Sequence, residues 1–466
     1  MATGKVTGKR QRSDKGGEPY RAFSLLRLKS LGKGDANDGM FGETLTRAII
    51  GNHSAESVNQ CVISNMMIDG PWLLSATPSL RSSDSLSFVV MSNPEALKAD
   101  VVHFLGQLAS GITVETFAPS VPYRFGSHHS KFTICLLNNR TVLRLAVFTA
   151  NFIKADCSFK TQAVYSQEFH LKGPESSSIS SDFECSLTDY LRKLNPPSGS
   201  MLENVANSIA QFDFSTATAD LVPSIPGRHS NSKYGSRKIA SVMNSSRSTK
   251  SSKRLSCVVS SIGSLKEENI NDLECAFGCE RGSLSIGWPS VSQVTHSIEG
   301  LIAGQSLPVP LKNVNASTVA KRLHMFDASH IARERAMPHI KAFGSFKQSE
   351  TTDKSASEMT CVMISSANLS NAALGREVKK DGSFEVMSYE LGVLFTPESA
   401  QGNLFAVDPT SVKLGHHDVN VPFPTRQPPD RFYSKESDCG ELPFAVDRLP
   451  NLPGAHFYGH VEKEPM

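Results

Sequence analysis

A histidine and a lysine two residues apart on an extended chain point to the same side, so a His-x-Lys strand offers one pocket an imidazole and an ammonium. Three such triplets occur: His129-Ser-Lys131, His170-Leu-Lys172 and His339-Ile-Lys341. With 14 histidines and 26 lysines in 466 residues, chance places about one triplet in the chain, so a single copy carries no information. The downstream sequence separates them. After Lys131 comes a strand-like run ending in Thr149-Ala-Asn-Phe152, and after Lys341 another ending in Ser366-Ala-Asn-Leu369. After Lys172 there is only a Ser-rich linker and Asn195-Pro196, and His170 is set aside.

Two matched units brought together would place His129, His339, Lys131, Lys341, Asn151 and Asn368 around one pocket. The ammoniums and amides suit a phosphodiester and the charge on the equatorial oxygens of its transition state. The imidazoles suit a two-step displacement, one attacking phosphorus and the other protonating the leaving oxygen. The lysine charges would stand in for a metal ion, and no cofactor is expected. His128 and His129 side by side raise the alternative of metal binding, but no third ligand stands at a suitable spacing. Taken singly, His129 reads as a surface or core histidine, and Asn151 and Asn368 as helix caps. The matched pair of units is what favours a site.

The elements that must position these groups read as short apolar runs rich in β-branched residues: Leu86–Met91, Ile112–Phe117, Phe132–Leu137 and Val142–Thr149. Amphipathic stretches such as Asn93–Leu108 lie between them. The pattern restarts near Asp220 with Leu221–Ile225, then Cys257–Ser261, Cys361–Ser365 and Tyr389–Phe395. Strands alternating with helices predict an α/β fold. Residues 1–22 read as a disordered basic tail rather than a signal peptide, 23–217 as a first half and 218–466 as a second. Ser245–Lys253 and Gln348–Glu358 read as solvated insertions, and the chain after Phe423 as an extended surface tail.

Composition bounds the reading without deciding it. Hydrophobic residues at 39% and charged ones at 20% are those of a soluble globular protein. A net charge of +3 neither supports nor excludes nucleic acid. Nine cysteines scattered from Cys61 to Cys439 fit reduced thiols, and no apolar run reaches the roughly 20 residues of a membrane span. GKRQR near the start suits nuclear import or merely a solvated tail. The basic segment Lys233–Arg254 is expected to be flexible, adding general DNA affinity or nothing.

The motifs resemble the phospholipase D superfamily, whose members carry two His-x-Lys motifs on two similar half-domains. That superfamily commonly has an Asp five residues after the Lys, where this chain has Leu136 and Phe346. The missing Asp is similar to the tyrosyl-DNA phosphodiesterase branch. The likeness extends through Phe125-Gly-Ser-His-His-Ser-Lys131, Thr149-Ala-Asn-Phe-Ile-Lys-Ala-Asp156, Lys160-Thr-Gln162, Pro226-Gly-Arg228 and Ser260-Ser-Ile-Gly-Ser-Leu265. It continues through Trp288-Pro-Ser290, Gly304-Gln-Ser-Leu-Pro308, Arg335-Ala-Met-Pro-His-Ile-Lys341, Ser366-Ala-Asn-Leu-Ser370 and Ser388-Tyr-Glu-Leu-Gly-Val-Leu-Phe395.

The resemblance implies two pseudo-twofold-related halves, each a mixed β-sheet flanked by helices. It implies hydrolysis of the 3′-phosphotyrosyl bond between DNA and a stalled type I topoisomerase, leaving a 3′-phosphate. His129 would be the nucleophile and His339 the acid and then the base. Lys131, Lys341, Asn151 and Asn368 would hold phosphate, with Gln162 and Glu390 hydrogen-bonding the histidines. Phe125 would stack on a base, and Ser261, Ile262, Gly263, Ser264 and Ser370 would contact the DNA backbone. If Glu390 backs His129, its carboxylate stabilises a cationic phospho-imidazole. If Gln162 backs His339, a neutral amide leaves that ring the better acid. The expected partners are single-stranded or frayed 3′ ends and a topoisomerase I-derived peptide, in the nucleus, with no membrane and a monomeric chain. The rivals are another phosphodiesterase of the superfamily, a nuclease or phospholipase, and a catalytically silent DNA-binding protein.

Overall fold

A computed structural model describes residues 22–31, 42–108, 111–174, 180–246, 253–347, 356–407, 418–425, 433 and 442–448. In chain order the first strands are β1 (Ser24–Leu26), β2 (Gly42–Glu43), β3 (Val58–Ser64), β4 (Ser85–Val89) and β5 (Thr113–Phe117). They are succeeded by β6 (Phe132–Leu137), β7 (Val142–Phe148) and β8 (Ala163–His170). The second series comprises β9 (Asp220–Ser224), β10 (Gly227–His229), β11 (Lys253–Val258), β12 (Ser285–Trp288), β13 (Leu323–Met325), β14 (Ala342–Lys347) and β15 (Ala356–Ser365). It ends with β16 (Arg376–Glu377), β17 (Phe384–Val386), β18 (Glu390–Phe395), β19 (Asn403–Val407) and β20 (Asp418–Val421).

The two large sheets repeat one topology. The first runs β5-β4-β3-β6-β7-β8-β1-β2 and the second β13-β12-β11-β14-β15-β18-β9. In each, three parallel strands form one side, and the next four pairings are antiparallel. Strands β10, β17 and β16 form a small separate sheet, and β16 and β17 are inserted between the equivalents of β7 and β8. Sheet membership changes between His170 and Asp220, across a stretch of helices.

Residue alternation explains how the sheets stack. Along β6 and β7, Ile134, Leu136, Leu143, Leu145 and Val147 enter a central core, where they meet Val362, Ile364, Leu391 and Val393 of the second sheet. Their neighbours Cys135, Leu137, Ala146 and Phe148 face the opposite way, into a core under helices Leu45–Ile50, Gly70–Ala76 and Pro94–Gly106. In the second half Cys361 and Met363 likewise face outward, toward helices Gly235–Ser245 and Glu267–Ala276. The result is helix, sheet, sheet, helix, with the central strands buried on both faces. The halves therefore share their largest core rather than each closing alone.

Three expectations are corrected. The basic segment Lys233–Arg254 is largely folded: residues 235–245 are helix and Lys253 opens β11. Ile239 and Met243, four apart, anchor the helix, while Lys238 is buried on Asp182 at 2.6 Å and Arg237 pairs with Glu377. The insertion expected over Gln348–Glu358 lies outside the described residues only as far as 355; from Ala356 it is strand, paired with β19. Most of the chain beyond Phe423 lies outside the described residues, but within the described stretch 442–448 Phe444 and Ala445 are fully buried, not on the surface. The Phe444 carbonyl accepts the Trp288 indole N–H at 2.8 Å, and its ring fills the space a side chain on Gly304 would need. Residues 1–21 and Cys439 lie outside the described residues, and the eight described cysteines are free thiols. No helix among the described residues is long and apolar enough to cross a membrane.

Candidate active site

Antiparallel order carries three separate sequence blocks to one edge. Lys131 immediately precedes β6, Thr149 comes directly after β7 and Gln162 immediately precedes β8. Lys341, Ser366 and Glu390 hold the corresponding places at β14, β15 and β18. The two edges are then tied to each other through the backbone. The His129 N–H donates to the Tyr389 carbonyl at 3.0 Å and the Tyr389 N–H to Ser127 at 2.9 Å. Across the pseudo-twofold, His339 and Ile340 N–H groups donate to the Thr161 carbonyl at 3.1 and 2.8 Å, and the Thr161 N–H to Met337 at 3.0 Å. Each parallel bridge sets the residue after Tyr389 or Thr161 beside the histidine of the other half. Gly126 permits the first crossing, since an added Cβ would lie 2.1 Å from the Met387 carbonyl oxygen.

Glu390 therefore backs His129, with Nδ1 and Oε2 3.0 Å apart. The Ser366 hydroxyl donates to the same carboxylate oxygen. Burial alone would raise the Glu390 pKa, but His129, Lys131 and Ser366 together hold it below the usual range. An ionised Glu390 takes the Nδ1 proton and leaves the Nε2 lone pair of His129 facing away, as a nucleophile requires. Burial lowers the His129 pKa, and Glu390 opposes that shift.

Gln162 backs His339, and its orientation is fixed by neighbours. The Thr149 hydroxyl accepts the Ala163 N–H at 2.9 Å and donates to Gln162 Oε1 at 2.8 Å. The Gln162 amide nitrogen thus faces the Asp156 carbonyl at 3.3 Å and His339 Nδ1 at 3.0 Å. The sequence pattern places a neutral amide here and nothing else. The structure adds a carboxylate: Asp156 Oδ2 is 3.4 Å from His339 Nδ1. Asp156 stands in a matched block without a role, and no spacing rule links it to a histidine 183 positions later in the chain. Burial pushes the His339 pKa well below the usual histidine value, reinforced by Lys341, Lys131, Lys160 and His129.

Both lysines are fully buried. Lys131 Nζ donates to its own His129 carbonyl at 2.8 Å, and Lys341 Nζ to the His339 carbonyl at 2.6 Å. Burial lowers Lys131 to about 8. It also lowers Lys341 well below the usual lysine value, and the charge of Lys131 adds to that. Two buried ammoniums this close repel each other, and an anion between them would restore both. Asn368 Oδ1 accepts from the Ser260 N–H, the Ser260 hydroxyl and the Ser261 N–H at 3.2, 3.2 and 2.9 Å, leaving its amide N–H groups for a ligand. Asn151 is buried, with an Oδ1 that no group among the described residues satisfies. The helix after it has Ile153 at its N-cap position, so capping is not the task of Asn151.

The remaining expected contacts range from the exposed Phe125 to the buried Ile262. Phe125 is 76% exposed, with the Arg124 guanidinium 5.5 Å from its ring centre; it is not core. The Ser261–Ser264 turn packs on Leu369 and Ser370, and a Cβ on Gly263 would meet that of Ser370 at 2.8 Å. Ile262 is buried, so only its backbone could meet DNA, and the Ser370 hydroxyl already caps helix Asn371–Leu374. His170 is exposed at the end of β8, and Lys172 pairs with Glu184. Among the described residues no group of three or more His, Cys, Asp or Glu side chains is arranged to hold a metal ion.

The chain is similar to known proteins over most of its length. Tyrosyl-DNA phosphodiesterase 1 of Arabidopsis thaliana is 32% identical over 370 residues, 74% of this chain and 58% of that protein. Its Drosophila melanogaster counterpart is 24% identical over 406 residues, 77% of this chain and 64% of its own. The chain thus spans less than two thirds of the length of these relatives. The solved yeast tyrosyl-DNA phosphodiesterase shares the fold with a TM-score of 0.65 at 16% identity, covering 91% of this chain and 99% of that one. The sequence profile of the family described as tyrosyl-DNA phosphodiesterase matches residues 44–433. The chain belongs to the tyrosyl-DNA phosphodiesterase family.

Proposed function

We propose that this chain hydrolyses the 3′-phosphotyrosyl bond that joins DNA to a stalled type I topoisomerase, without a metal ion. The observation that carries the reading is the unlike backing of the two buried histidines: a carboxylate at 3.0 Å behind His129, and an amide at 3.0 Å with a carboxylate farther off, at 3.4 Å, behind His339. His129 Nε2 attacks phosphorus as the tyrosine oxygen leaves, and His339 Nε2 gives that oxygen a proton. Lys131, Lys341 and the amides of Asn151 and Asn368 hold the equatorial oxygens. Water activated by His339 then displaces His129 and releases a 3′-phosphate.

The exposed Phe125 supports a single-stranded or frayed 3′ end, since stacking tolerates any base. In the Ser261–Ser264 segment the Ser261 and Gly263 N–H groups are taken by Asn368 and Leu369, so phosphate would meet the Ile262 and Ser264 N–H groups and the serine hydroxyls, without reading sequence. A tyrosine-bearing peptide is the other partner, the acting unit is a monomer, and the proposed site of action is the nucleus.

A substrate panel in excess EDTA tests the reading. The expected result is release of tyrosine from a 3′-phosphotyrosyl oligonucleotide and no product from phosphatidylcholine. Loss of DNA cleavage in EDTA would overturn the metal-free mechanism. Lipid cleavage would favour a phospholipase, and tight DNA binding without any cleavage a silent binding protein.

A further inference from the structure

His339 must change protonation twice in the proposed cycle, and the Gln162 amide serves only one of the forms it passes through. The Gln162 amide presents N–H to Nδ1, which suits a ring whose proton sits on Nε2. The amide does not turn over, because its nitrogen also donates to the Asp156 carbonyl, where an oxygen would be repelled, while Oε1 accepts from the Thr149 hydroxyl. An imidazolium, by contrast, carries a proton on Nδ1 that needs an acceptor. Among the described residues the side-chain acceptor at hand is Asp156 Oδ2, 3.4 Å away.

The geometry points to Asp156 as the positioning residue that accepts the Nδ1 proton of His339 and so allows one ring to act first as acid and then as base. This rests on the two-step reaction proposed above. In the first step the P–O bond to tyrosine breaks, the P–N bond to His129 forms, and the Nε2 proton of His339 passes to the tyrosine oxygen. His339 is left neutral with its proton on Nδ1, facing Asp156, so the Nε2 lone pair is free. In the second step that lone pair takes a proton from water as the water oxygen attacks phosphorus and the P–N bond breaks. The imidazolium is restored. A ring held to Gln162 alone would keep its proton on Nε2 and could not serve as the base.

The carboxylate is suited to the task. Asp156 is 2% exposed, so water does not screen it. Its Oδ2 also accepts the Asn151 backbone N–H at 3.1 Å, which ties the His339 acceptor to a phosphate-binding residue. Lys160 stands 3.7 Å from Oδ1 but is held more closely by Glu299, at 2.8 Å. The charges facing the ring are thus Asp156 against Lys131, Lys341 and Lys160, with His129 opposite. The equivalent position in the second half, five residues after Asn368, is Ala373. The device belongs to one histidine only.

Nitrogen-15 NMR titration of the His339 ring, assigned against His339→Asn, tests this without any substrate. Asp156→Asn keeps the shape and an acceptor for the Asn151 N–H but loses the charge. The titration midpoint of His339 is expected to fall by about one pH unit or more, a tenfold loss in proton affinity. An unchanged midpoint would overturn the proposal. Glu299→Gln frees Lys160 to pair with Asp156 and should lower the midpoint by less; no change there counts against the link. In single-turnover kinetics, which read the first step alone, Asp156→Asn should slow tyrosine release by about 10- to 100-fold, with far less loss for a 4-nitrophenyl leaving group that needs no proton. Equal losses on both would mark a structural role and overturn it. A wild-type chain inert on both would sink the proposed function, while the titration would still decide Asp156.

Discussion

The two histidine nests are built from one plan and finished differently. In both, a hydroxyl at the end of the middle strand, Thr149 or Ser366, accepts the N–H of the neighbouring strand and donates to the backing side chain. In both, that backing side chain belongs to the same half as the hydroxyl, and the histidine comes from the other half. The difference is confined to a few atoms. Glu390 accepts from Ser366 and His129 on one oxygen, whereas Gln162 accepts from Thr149 and turns its N–H groups outward. Duplication accounts for the shared plan, and the amide-for-carboxylate exchange, with Asp156 beside it, accounts for divided labour.

The largest break in this comparison comes from removing the nucleophile. His129→Ala should lower the first step by at least about 10⁴-fold and form no covalent intermediate, as read by single-turnover tyrosine release. His339→Ala should fall by about 10²- to 10⁴-fold with a tyrosine leaving group and accumulate protein–DNA adduct on a denaturing gel. Equal, adduct-free losses in both variants would erase the distinction between the nests.

Exchanging the backing groups is gentler. Glu390→Gln removes the charge that steadies a cationic His129 and should cost about 10- to 100-fold. Gln162→Glu should raise the His339 titration midpoint, because a carboxylate in place of an amide favours the imidazolium. If Gln162→Glu leaves that midpoint where it was, Gln162 does not govern the ring. Phe125→Ala should weaken single-stranded DNA binding by about 10-fold, within the roughly 1–3 kcal/mol of one stacked base, and leave the chemical step nearly unchanged.

Much of the fold could be read from residues whose two faces are both buried. Phe132–Leu137 and Val142–Phe148 are unbroken apolar runs because cores lie on either side, and they stand out in sequence for that reason. β3 begins Val-Asn-Gln and β8 ends Ser-Gln-Glu-Phe-His, with half-buried polar residues that mask the strand. β13 and β16, two or three residues long, offer too little pattern to detect. The burial of Phe444 depends on a gap beside Gly304 that only the folded chain creates. At the site, the duplicated His-x-Lys and Ala-Asn units were visible as a repeat. Asp156 was not, because its relation to His339 arises only where the two halves meet.

A stability effect outside the catalytic comparison concerns His128, whose counterpart in the second half is Pro338. His128 is fully buried on the Ser64 hydroxyl at 2.9 Å, and burial, with Lys131 and His129, lowers its pKa to about 3. His324 is lowered to about 4, chiefly by burial. Unfolded histidines titrate near 6.5, so between about pH 6.5 and these values the unfolded chain binds more protons. Stability is therefore full above pH 6.5 and lost as the pH falls, by about 2 kcal/mol for each of the two at pH 5. Thermal melts at pH 7 and pH 5 should show this, and His128→Gln should flatten the dependence. An unchanged midpoint at pH 5 would mean that neither ring is held neutral.

The central claim is that one cavity holds a nucleophile and a proton carrier contributed by different halves. It is tested most directly by stopping His339→Ala during reaction with a 3′-phosphotyrosyl oligonucleotide in EDTA and locating the trapped DNA by peptide mass spectrometry. The phosphoryl group should be found on His129. DNA attached to any other residue would contradict the account.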